Sequence, residues 1–208
     1  MYGRLPSFVL GFHGCDRSVA ARVISAKGRL TPSRNEYDWL GEGAYFWENN
    51  PQRALEFAIE SRRRRRREAR RIKKPAVIGA VIDLGYCLNL LDSKYLQILK
   101  EGFRILSQTM EQAGQQMPVN KQAREGNDLL LRNLDCAVIN AVHTLRSVQG
   151  LPPFDTVRSA FIEGAEVFPG STFREKNHIQ ICVRNPLCIK GYFWPLDDQA
   201  NEIVTEMP

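Results

Sequence analysis

The chain predicts an α+β domain, and three observations predict it. Its 208 residues suit one domain with a core of its own. A hydrophobic content of 43% with 25% charged residues is that of a soluble globular chain. Its periodicities run strand, helix, strand, helix, strand, then a helical block, then strands again.

Taken in order, the first strand is Ser7–Phe12, apolar at Phe8, Val9 and Leu10, and it delivers His13 and Gly14 to its edge. Residues 16–28 predict a helix. Asp16 is its N-cap, Val19, Val23 and Ile24 its apolar stripe, and Gly28 its stop. Residues 30–41 are turn-rich, and Gly43–Glu48 is a short aromatic strand. Asn50 caps a long helix that Pro51 opens and Pro75 ends. Ala76–Gly85, β-branched and bounded by turn signals, is a buried strand. Residues 93–112 and 128–149 carry helical periodicity and are joined by the polar stretch 113–127, so about 93–150 form a helical insertion in a single domain, 1–208. Strand character returns in 155–171 and 177–193.

Composition narrows the function. No run is long enough to span a membrane, and the N-terminal apolar stretch lacks a small-residue cleavage site, so it reads as a strand rather than a signal peptide. The five cysteines are odd in number and form no C-x-x-C pair, against a disulfide framework or a structural zinc site. A reducing, cytoplasmic location without a bound metal is expected. The net charge of +6 favours an anionic partner. Much of it lies in 61–74, where Arg62 to Arg67 are consecutive. Such a run either lies solvated or tracks phosphates; Arg62, Arg63 and Arg66, with Arg174 further on, are the candidate nucleic-acid contacts.

The candidate site residues fall in three places. His13-Gly14 ends the first strand. Gly41-x-Gly43-x-Tyr45-Phe46 opens the second and is followed by a helix with Ala54 and Phe57 facing back. Late in the chain, strand alternation places His178, Gln180 and Cys182 on one face.

This series resembles the ADP-ribosyltransferase superfamily, in the His-Tyr-Glu branch that includes poly-ADP-ribose polymerases and diphtheria-type toxins. The resemblance covers Phe8 to Phe193 and implies a split β-sheet core, with residues 93–150 as an insertion. It implies NAD as co-substrate. His13 would bond a ribose hydroxyl, Gly14 would grip the nicotinamide carboxamide with its main chain, Tyr45 would stack on the ring, and Phe57 would close the other side. Gly14 is then a glycine because ligand touches backbone. Gln180 stands where the family has a glutamate, so it supplies a hydrogen bond without the charge that stabilises an oxocarbenium-like transition state. The catalytic set is Gln180, His13 and Tyr45, and the product is a single ADP-ribose. Glu163, Glu166, Glu175 or His178 is left to deprotonate the acceptor. Arg158, Arg174 and Lys176, with the arginine run, favour a nucleic-acid acceptor, RNA before DNA. The resemblance further implies a bacterial toxin or phage-defence effector with a cognate antitoxin. Transfer to a protein, and a catalytically weak NAD- or nucleic-acid-binding module, are the alternatives.

Overall fold

The computed structural model describes residues 8–63, 72–122 and 128–196. Among these the elements are β1 (Phe8–Asp16), α1 (Arg17–Ile24), β2 (Ala44–Glu48), α2 (Pro51–Arg63), β3 (Pro75–Asp83), β4 (Cys87–Asn89), α3 (Ser93–Gln112), β5 (Asn120–Lys121), β6 (Leu131–Arg132), α4 (Asn133–Val148), β7 (Thr156–Phe161), β8 (His178–Val183) and β9 (Ile189–Phe193). Seven strands form one mixed sheet in the order β4-β7-β8-β2-β1-β3-β9, and β5 pairs with β6. Only β4 and β7 run parallel. The architecture is α+β.

The sheet is unevenly joined. β1 pairs with β3 at every position from Phe8–Asp83 to Asp16–Pro75. β2 pairs with β8 from Ala44–Val183 to Trp47–Gln180, and β8 with β7 from His178–Phe161 to Val183–Thr156. Between these two wings, β1 and β2 meet only at Gly11–Glu48 and Phe12–Trp47. Beyond Phe12 the two strands part.

Helices cover both faces. α1 packs Ala20 and Val23 against Phe46, Ile78 and Ala80 on one face. On the other, α2 lays Ala54 over Phe12, Trp47 and Val77. Beside it, α4 sets Ile139 and Val142 with Leu40, Leu88, Phe154 and Cys182. The caps read from sequence form. Asp16 accepts from Ser18 N at 3.0 Å and Asn50 from Arg53 N at 2.9 Å. Among the described residues no helix is long and apolar enough to cross a membrane.

Several expectations are corrected. α1 stops at Ile24 rather than running to Gly28, because the chain reverses at Ala26 (φ 57°), where the Lys27 N–H closes on Arg22 O at 3.0 Å. α4 starts at Asn133, not 128, because Asn120 on the facing hairpin accepts from Leu134 N at 2.9 Å and caps it from across the fold. Residues 162–171 do not continue β7. They begin a hairpin whose arms are tied by Lys176 N to Glu163 O and Glu175 N to Ala165 O, both at 3.0 Å. The expected passage of the second helix from Arg64 up to Pro75, and with it Arg66, lies outside the described residues.

Candidate functional site

The parting of β1 and β2 makes a wedge, and its chemistry follows from strand alternation. Leu10 O accepts from Asn49 N at 2.9 Å on the β2 side. In an antiparallel strand the N–H and C=O of alternate residues point the same way, so Phe12 and Gly14 also direct theirs toward β2. After Phe12–Trp47 the next bonded pair would be Gly14–Tyr45, and it is not formed. Instead His13 Nδ1 lies 2.7 Å from Tyr45 O. A carbonyl only accepts, so Nδ1 carries the proton and Nε2 keeps its lone pair. Burial lowers the His13 pKa, against the opposing pull of the Tyr45 carbonyl. The ring is therefore neutral, half-buried and tilted against Phe46 at 5.8 Å.

The reason for a glycine at position 14 is also internal. A Cβ there would sit 1.9 Å from Ala54 O and 3.2 Å from Ala58 Cβ. α2 occupies the space a side chain needs, while the peptide edge faces the wedge. The expectation that ligand contact alone demands glycine is thus corrected.

Tyr45 and Gln180 lie on one face of the β2–β8 pair, because Tyr45 is opposite Cys182 and Gln180 is opposite Trp47. The Tyr45 hydroxyl accepts from Leu40 N at 3.0 Å and donates to Gly41 O at 2.7 Å, and burial pushes its pKa well up. It pins the Gly41-x-Gly43 turn. Gln180 Oε1 accepts from Trp39 Nε1 at 2.6 Å, which turns the carboxamide NH2 away as a donor. Trp39 stands edge-on to Phe161 at 4.7 Å, and the Arg132 guanidinium lies over both rings. Sequence reasoning missed Trp39, which sits in a loop 141 positions from its partner.

Phe57 rests on Trp47 at 4.9 Å, and among the described residues no ring contact joins it to Tyr45. His178 Nδ1 donates to Lys176 O at 2.6 Å, and its ring meets Trp47 and Phe161. Burial lowers its pKa to about 4. Glu163, 8% exposed, accepts from the buried Arg53 at 3.1 Å, so this carboxylate is committed to an ion pair. Arg158 is bidentate with Glu48 at 2.5 and 2.8 Å, Arg174 pairs with Glu166 at 3.5 Å and Lys176 with Glu60 at 2.8 Å. These three cations are compensated, which corrects their reading as free phosphate contacts. Arg62 and Arg63 are exposed at the end of α2. All five cysteines are free and buried, and burial pushes Cys15 and Cys182 up to about 12, so they are poor nucleophiles.

The chain is similar to an archaeal protein. This is Uncharacterized protein MJ0359 of Methanocaldococcus jannaschii, 25% identical over 197 residues, which are 88% of this chain and 85% of that protein. No family model matches the chain, and no solved structure matches it.

Proposed function

We propose that the protein is a NAD-dependent mono-ADP-ribosyltransferase whose acceptor is nucleic acid, RNA before DNA. The observation that supports it most is the unformed Gly14–Tyr45 pair with His13 bonded across the gap. The groups at the wedge suit NAD. The N–H and C=O of Gly14 complement a carboxamide, which offers one acceptor and donors. His13 Nε2 accepts from a ribose hydroxyl. Gln180, turned by Trp39, donates from its NH2. NAD supplies an activated N-glycosidic bond from which ADP-ribose is transferred. The chain's part is to orient that bond and to exclude water with Tyr45 and Trp39. Thermal denaturation tests the reading: NAD raises Tm in the wild type by mass action and not in His13→Ala. An equal rise in both contradicts it.

A second reading has one observation in its favour. The carboxamide at position 180 brings no negative charge to the place where the resemblance expects one. A module that binds NAD without turning it over shows the same thermal shift and leaves NAD intact.

A further inference from the structure

The hairpin between β7 and β8 presents aromatic rings that its own fold does not use. Phe168 is 57% exposed and Phe173 is 67% exposed, with Ile162 and Val167 exposed nearby. The segment is well built. Besides the two bonds at its root, Val167 N donates to Phe173 O at 3.2 Å and Ser171 N to Phe168 O at 2.9 Å. Gly170 takes a left-handed φ of 80° at the tip, and its N–H is held by Glu166 at 2.9 Å. Asp128 grips Gly164 N at 2.8 Å, and the Arg53–Glu163 and Lys176–Glu60 pairs fix the root to α2. A backbone so bonded holds its apolar rings in water, where burial would stabilise them by a few kcal/mol each.

We propose that this hairpin is a base-stacking surface for single-stranded nucleic acid, with Phe168 and Phe173 as the stacking rings and Arg62 and Arg63 beside its root as phosphate contacts. Charge decides the class of occupant. The Lys176–Glu60 bond sets the hairpin against the last turns of α2, where Arg62 and Arg63 are exposed and the arginine run begins. Glu166 and Glu163 are neutralised within the hairpin and its root by Arg174 and Arg53, which leaves Glu175 as its exposed acid. Exposed rings beside a basic track are the combination that binds single strands, since every base has a face to stack. A duplex hides those faces. The proposal rests on the nucleic-acid acceptor given above, yet its test needs no NAD.

The test is fluorescence anisotropy with a labelled oligouridine of about 12 nucleotides, a length within the site sizes of single-strand binders, against an RNA duplex of equal length. The wild type binds the single strand more tightly. Phe168→Leu with Phe173→Leu weakens it roughly tenfold or more, while Phe168→Trp with Phe173→Trp keeps it, because stacking needs an aromatic face and not apolar bulk. Equal binding of duplex and single strand overturns the proposal, and so does a leucine variant that binds as well as wild type, the result expected of an apolar protein-docking face. Melting curves with and without NAD accompany each variant. An absent NAD shift in the wild type sinks the transferase reading and leaves the stacking result to stand or fall alone.

Discussion

His13 donates from Nδ1 to the carbonyl of Tyr45 at 2.7 Å, in the place where the N–H of Gly14 would bond if β1 and β2 stayed paired. An imidazole thus satisfies the acceptor that the parting strands would leave open. This keeps the wedge from being an unsatisfied gap, and it fixes the tautomer that leaves Nε2 free to accept.

Gly14→Ala tests the packing behind the wedge. The obstacle is the Ala54 main-chain oxygen at 1.9 Å, so no neighbouring side-chain change relieves it. We expect a loss of about 3 kcal/mol in urea denaturation, at the upper end of overpacking costs. Gly191→Ala, where nothing lies within 4 Å, is the control and stays within about 0.5 kcal/mol. Equal effects at both positions contradict the close approach of α2.

Acid destabilises this fold through its histidines. Burial lowers His178 to about 4 and His143 to about 3, and lowers His13 as well. Below the unfolded value of about 6.5 the unfolded chain takes up protons that the folded chain refuses, so stability falls as pH falls. The slope reaches about 1.4 kcal/mol per pH unit for each histidine, between about 6.5 and the folded value. Denaturation midpoints at pH 7, 6 and 5 check this, and His143→Leu flattens the slope. A stability unchanged from pH 7 to 5 contradicts the neutral, buried rings.

Glu163 is expected to hold the fold rather than take a proton from an acceptor. Glu163→Gln leaves Arg53, 5% exposed, without its 3.1 Å partner. Breaking a buried pair on one side costs about 3 kcal/mol, and the double change Arg53→Met with Glu163→Leu costs less. Urea denaturation measures both. Full stability with abolished transfer would instead make Glu163 a catalytic base.

The legible part of this protein was local. Asp16 and Asn50 act as caps where their positions indicated, and alternation correctly set His178, Gln180 and Cys182 on one face of β8. What escaped the sequence depends on distance along the chain. The register that lets β1 and β2 touch at two positions joins strands separated by a helix and a long loop, and no local pattern encodes it. Arg158 and Glu48 find each other across 110 positions, so the cationic look of that strand misled until the pair was seen. The Trp39 hold on Gln180 is of the same kind.

Gln180 separates enzyme from module. Gln180→Ala leaves NAD affinity within a few-fold and lowers transfer about 10²-fold, since its contact matters most as charge develops. Gln180→Glu keeps the Trp39 bond, adds charge and keeps or raises NAD cleavage. Trp39→Phe removes the hold at 2.6 Å and mimics part of the Gln180→Ala loss. Kinetics on the purified variants decide. Transfer by Gln180→Ala at the wild-type rate means another residue does this work, with His178 the first to test.

The most direct measurement is incubation of the protein with NAD labelled in its adenylate phosphate, beside separate pools of RNA, DNA and protein. We predict label bound covalently to nucleic acid, RNA above DNA, with one equivalent of nicotinamide released per ADP-ribose, and no label from His13→Ala. Label in none of the pools, with NAD neither bound nor consumed, would contradict the account.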